Sequence, residues 1–181
     1  MSTETLPTNR FQETLGQPSV GARTKVRDHL SDELQDYIRR ASFVVLASSD
    51  TDGHCDASPK GGKPGFVKIL DDRHLLLPDV AGNRLFQSYE NIDKNGQVGL
   101  LFMIPGKDRT VRVNGNARIV DRDELERQKM DLSVFQPDDN ARNQQGLLIE
   151  VEEAYSHCPR AFKFSNLWDA ETIDRNRKSK P

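Results

Sequence analysis

Cysteine is scarce: Cys55 and Cys158 are the only two in 181 residues, and neither sits in a CxxC pair. That spacing offers neither a disulfide framework nor a zinc site, so no metal is expected. Long apolar runs are also missing. The stretch from Val98 to Pro105 is among the longest and is far too short to cross a bilayer. The polar start MSTETLPTNRFQETLG lacks the basic and apolar regions of a secretory signal. These absences lead to the expectation of a cytoplasmic protein with reduced thiols. A charge excess is missing too. The formal net charge is -2, so no global field draws the chain to nucleic acid or to an anionic membrane. Any anion site must be local. GxSxG, HExxH and GxxxxGK[ST] patterns are all absent.

What is present is polar for a globular chain, with 35% hydrophobic and 30% charged residues. The length suits one domain with tails. Residues 1–28 show no sustained periodicity and read as an N-terminal arm; 29–168 read as the domain, and 169–181 as a charged tail. A first helix is predicted from the N-cap Ser31, with Leu30, Leu34, Tyr37, Ile38 and Ala41 on one face. The period then shortens. Residues 43–58 read as a hairpin around Asp50-Thr51-Asp52-Gly53, and 66–78 as a second around Asp71-Asp72-Arg73. Between them, Pro59 to Gly65 reads as a loop with two lysines and three glycines. Gly82-Asn83-Arg84 reads as the opening of a second helix.

Strands follow at 97–104 and 110–120. In the second, Val111, Val113, Ala117 and Ile119 alternate with Arg112, Asn114, Asn116 and Arg118. A helix is predicted over 123–132, a strand over 147–151 and a helical segment over 154–168. Short hairpin-linked strands with few helices point to a mainly β, closed or partly closed antiparallel barrel. A parallel sheet would need a helix after nearly every strand.

Three places offer cationic or backbone groups for an anion. The first is Ser58-Pro59-Lys60-Gly61-Gly62-Lys63, where glycines permit close backbone approach and lysine supplies charge; it equally reads as an exposed basic turn. The second is Asn83-Arg84 at a helix start, which also reads as an ordinary cap with a solvated arginine. The third is Arg112 on the polar face of its strand, where a solvent-facing role is the plain alternative. Trp168 reads either as a stacking surface for an aromatic ligand or as a core closure. His157 and Cys158 are adjacent and would diverge, so no nucleophilic pair is expected, and no catalytic residue stands out.

Taken in order, FVVLASSDTDGHCDASPKGG, KPGFVKILDDRHLLLPDVAGNR, NIDKNGQVGLLFMIPG and TVRVNGNARIV resemble the FMN-binding split-barrel proteins related to pyridoxamine 5′-phosphate oxidase, and HCPRAFKFSNLW resembles the C-terminal segment of one uncharacterised bacterial branch. The likeness runs from about residue 30 to 168. It implies a mainly β fold with peripheral helices, an antiparallel split β-barrel of FMN-binding type, working as a homodimer with FMN near the subunit interface. By resemblance, Ser58, Lys60, Asn83, Arg84 and Arg112 would hold the flavin phosphate, Gly61 would also touch the cofactor, Pro78 and Asp79 would border the ring system, and Trp168 would come from the partner chain. The implied activity is FMN-dependent oxidation or reduction of a small molecule. Flavin binding without turnover, or a barrel holding deazaflavin or haem, are the alternatives. Leu85 follows Arg84 where true oxidases of the family carry lysine, and their C-terminal arginine–histidine pair is not visible, so vitamin B6 oxidation itself is not implied.

Overall fold

A computed structural model describes residues 9–80, 84–131, 133–139 and 141–179. Asn83, one of the expected cofactor residues, lies outside them.

Two short helices, α1 (Arg10–Leu15) and α2 (Val20–Thr24), precede the barrel and bury none of their residues. The chain then joins the sheet through backbone bonds between Arg27 and Ala154. Helix α3 (Asp32–Arg40) follows the apolar period, with acids in its first turn and arginines in its last, as the helix dipole favours. Its Leu34 and Ile38, with Leu30 and Ala41 at its flanks, are buried in the main core.

Seven antiparallel strands form one sheet. They are β1 (Phe43–Ser49), β2 (Cys55–Gly61), β3 (Lys68–Ile69), β4 (His74–Val80), β5 (Gln97–Met103), β6 (Thr110–Val120) and β7 (Asn143–His157), in the order β2-β1-β5-β6-β7-β4-β3. The remaining helices are α4 (Gln87–Lys94), α5 (Arg122–Arg127), α6 (Arg160–Ser165) and α7 (Ala170–Lys178). Val44, Leu46, Leu100, Phe102, Val111, Val113, Leu75, Leu77 and Ile149 point inward and fill the barrel together with α3 and Tyr89 and Ile92 of α4. The Asp50 carboxylate tightens the β1–β2 turn by accepting from the backbone of Asp52 and His54. Among the described residues no helix is long and apolar enough to cross a membrane.

The structure corrects four expectations. Pro59 and Lys60 belong to strand β2, not to a loop, because β2 is an edge strand and needs ladder bonds on one side only. Helix α4 starts at Gln87 rather than at Arg84, the described residue of the expected 82–84 opening; Arg84 and Phe86 take left-handed backbone angles, φ 61° and 53°, which end any helix through them. Residues 154–157 extend β7, where Ala154 and Tyr155 pair with Val113 and Arg112, and the helix expected over 154–168 is reduced to α6. Lys129, at φ 53°, likewise stops α5 short. The β6 alternation is present, but a bulge at Asn114/Gly115 interrupts it, and Ile119 is 37% exposed.

Candidate functional site

Strand β2 presents Asp56, Ser58 and Lys60 on one face at the two-residue spacing of a strand, and each is half-buried. Ser58 lies opposite Leu46 and Lys60 opposite Val44, so both point to the barrel side of the sheet. Strand β4 carries Pro78 and Asp79 near its end, close to the other edge. The two ends of the sheet curl toward each other here. Lys60 Nζ lies 3.0 Å from Asp79 Oδ1, with the side chains 17% and 18% exposed.

Two clefts flank this ion pair and share Ser58, Pro59, Lys60, Asp79 and Val80. One, of about 340 Å³, adds Gly61, Phe66, Pro78, Val134 and Asn143. The other, of about 260 Å³, adds Asp56, Arg84, Phe86 and Tyr89. The fold thus brings Ser58, Lys60, Gly61, Pro78, Asp79 and Arg84 to one place. Among the described residues the Ser58 hydroxyl and the Arg84 guanidinium have no hydrogen-bond or ion-pair partner. Asp56 is already engaged by the Ser88 hydroxyl.

Two further polar groups, which the sequence reading assigned no role, line the same clefts. Asn143 donates Nδ2 to Met130 O at 2.8 Å, while its Oδ1 is buried without a partner. The Tyr89 hydroxyl is buried and forms no well-made hydrogen bond, although Asp79 and Gln145 lie near it. Burial first, and the Asp79 charge second, push this phenol well above its ordinary range. It therefore stays protonated and keeps its O–H to donate. A buried polar group without a partner is costly, so these two atoms favour a polar occupant of the clefts.

Arg112 and Trp168 lie elsewhere. Arg112 is opposite Leu101 on β5, which is opposite Val45, which is opposite Pro59; it thus faces away from the side that carries Lys60. It donates to Tyr155 Oη at 3.0 Å. Trp168 lines an apolar chamber of about 570 Å³ with Phe43, Met103, Leu167, Gly61 and Gly62. Its Nε1 donates to Lys107 O at 3.0 Å, and its ring stacks on Phe162, 6.0 Å between centroids and 15° between planes. Gly61 and Val134 line both this chamber and the larger cleft.

Asp56 was readable as the next member of the Ser58, Lys60 alternation once this segment is taken as a strand. Tyr89 was readable only as a core position of its helix, and no local pattern marks Asn143.

The family model for pyridoxamine 5′-phosphate oxidase matches residues 30–158, the stretch that contains all seven strands. The chain belongs to the pyridoxamine 5′-phosphate oxidase family. Its fold is that family's split barrel, a flavin-binding architecture. A candidate pyridoxamine 5′-phosphate oxidase of Lactobacillus delbrueckii superposes with a TM-score of 0.53 at 23% identity, covering 71% of this chain and 95% of that one. A second such candidate, from Listeria innocua, gives 0.50 at 19% identity over 69% and 95% of the two chains. HupZ of Group A Streptococcus gives 0.50 at 18% identity over 70% and 92%. No curated protein sequence matches the chain. At these identities the neighbours establish the shared fold, and the chemistry must be argued from the clefts.

Proposed function

We propose that this protein binds FMN as a homodimer and is an FMN-dependent oxidoreductase acting on a small molecule. The observation that carries the reading is the convergence of Ser58, Lys60 and the unpartnered Arg84 on clefts that also hold two orphaned polar atoms, in a chain of a flavin-binding family.

The donor set fits the cofactor. A phosphate dianion taken from water requires paired charge and hydrogen bonds. Lys60 and Arg84 supply charge, and Ser58 supplies a hydroxyl donor. Phe66, Pro78 and Val134 give the adjoining cleft an apolar side against which a flat ring system rests. Tyr89, held protonated, offers its O–H as a donor. FMN, when bound, supplies the hydride or electron transfer.

The Trp168 chamber is then the place for the substrate. It meets the cleft at Gly61 and Val134, and its described lining contains no ionisable side chain. The chain's part there is to orient an apolar ligand and exclude water, with Trp168 fixed by Lys107 O and Phe162. Dimerisation is supported by the outer face of β1 and β5, where Phe43, Val45, Leu101 and Met103 lie side by side and only half-buried, with Ala47 exposed. A second copy covers such a face by two-fold symmetry.

The test is the absorption spectrum of the purified protein, followed by reduction with NADH or NADPH and a panel of acceptors. A yellow protein that releases FMN on denaturation, with a reducible flavin, is expected. A haem or deazaflavin spectrum, or a colourless protein that takes up no FMN, overturns the cofactor. Bound FMN without turnover for any acceptor leaves a flavin-binding protein and overturns the enzyme.

A further inference from the structure

Behind the wall that carries Trp168 is a second, differently charged cavity. Tyr37 and Arg40 of α3, the β5–β6 turn from Ile104 to Arg109, Pro159 and Lys163 of α6 enclose about 380 Å³. Arg40, Lys107, Arg109 and Lys163 line it against a single carboxylate, Asp108. This is a local reversal in a chain of net charge -2. Arg40 is engaged with Asp36 at 3.2 Å. The side chains of Lys107, Arg109 and Lys163 have no hydrogen-bond or ion-pair partner among the described residues.

The turn that presents these cations is fixed from two sides. Tyr37 Oη donates to Arg109 O, and Trp168 Nε1 donates to Lys107 O. Burial pushes the Tyr37 phenol up, which keeps it in its donor form. Both turn carbonyls are thereby consumed, and the cationic side chains remain to face the cavity. Like charges gathered in one place repel, and an anion among them relieves that repulsion. A single carboxylate would leave most of this charge uncompensated, whereas a phosphate or pyrophosphate matches it and suits the arginine fork.

We propose that this basic pocket is a second anion site, which takes a phosphate or pyrophosphate group. The bond from Trp168 Nε1 to Lys107 O ties the turn that carries its cations to the wall of the neighbouring apolar chamber. The anion site is distinct from the cofactor clefts and is testable without the flavin reading.

The experiment is calorimetric titration of the full chain, saturated with FMN, with inorganic pyrophosphate. Native protein, the Lys107→Ala/Arg109→Ala double variant and the charge-preserving Lys107→Arg/Arg109→Lys variant are compared. Native protein is expected to bind, and the alanine pair to bind roughly ten- to a hundredfold more weakly. The charge-preserving pair restores binding. Each residue of the pair is exposed on a turn, so thermal unfolding of the variants should match that of the native chain. Absence of native binding at millimolar pyrophosphate, or equal binding by the alanine pair, overturns the proposal. If FMN does not bind, the flavin reading fails separately, and the same titration on the unliganded protein still reads the Lys107/Arg109 site.

Discussion

Lys60 on the edge strand β2 and Asp79 near the end of β4 meet at 3.0 Å across the opening of the barrel. No backbone ladder joins these strands; the sheet order puts them at or near opposite edges. The contact is therefore tertiary, and it occupies the cation best placed for a ligand phosphate. The Asp79 carboxylate compensates the Lys60 charge. A bound phosphate must compete with it, and the nearby Tyr89 hydroxyl offers Asp79 a buried donor when it does.

Asp79→Asn keeps the shape and removes the competing charge. The variant is expected to bind FMN more tightly, by about tenfold or less, the value of a modest electrostatic term. Quenching of flavin fluorescence on titration of the apo-protein measures it. A clear weakening of FMN binding would show that Asp79 holds the cofactor instead of competing with it.

Neighbouring glycines should respond differently. A Cβ at Gly62 would lie 2.5 Å from Ser133 O and 2.6 Å from Phe66 Cβ, while one at Gly61 finds nothing closer than Ser42 O at 3.5 Å. Gly62→Ala is expected to cost about 1–3 kcal/mol, as overpacking does. Gly61→Ala should leave thermal stability nearly unchanged. Matching melting temperatures for the two variants would contradict the close packing of Gly62 on Ser133 and Phe66.

Acid sensitivity should involve His157. Burial first, then the charges of Arg112 and Lys25, hold its imidazole below the ordinary value of 6.5, and its Nδ1 is buried without a partner. Above that ordinary value the ring is neutral folded or unfolded, and stability is undiminished. As pH falls from there toward the lower folded value, the unfolded chain takes up the proton first and stability declines. His157→Gln should flatten this part of the stability–pH curve in denaturant titrations; an unchanged slope would rule His157 out as its source.

The elements legible in the sequence were those whose pattern repeats several times. The α3 face of Leu34 and Ile38, the β1–β2 hairpin turn and the first half of β6 each declare their period. Pro59 and Gly61 misled because they are excluded only from central strands, and edge position is a property of the whole sheet. Arg84 marks no helix start, since left-handed angles at Arg84 and Phe86 delay α4. The last residues of β7 are fixed by the long partner strand β6 rather than by their own composition. Within the site, residues on β2 and β4 were readable by resemblance and lie together. Arg112 lies on the other sheet face, and the roles of Tyr89 and Asn143 appear only when burial leaves their polar atoms unpartnered.

The central claim is that Lys60 and its neighbours hold the phosphate of FMN. Titration of apo-protein with FMN and with riboflavin, for the native chain and for Lys60→Ala, tests it most directly. A lost charge-assisted contact is worth roughly 1.5–3 kcal/mol, so FMN binding should weaken by about one to two powers of ten. Riboflavin, which lacks the phosphate, should bind weakly to both forms and scarcely distinguish them. Equal losses for the two ligands, or no loss for either, would contradict the account.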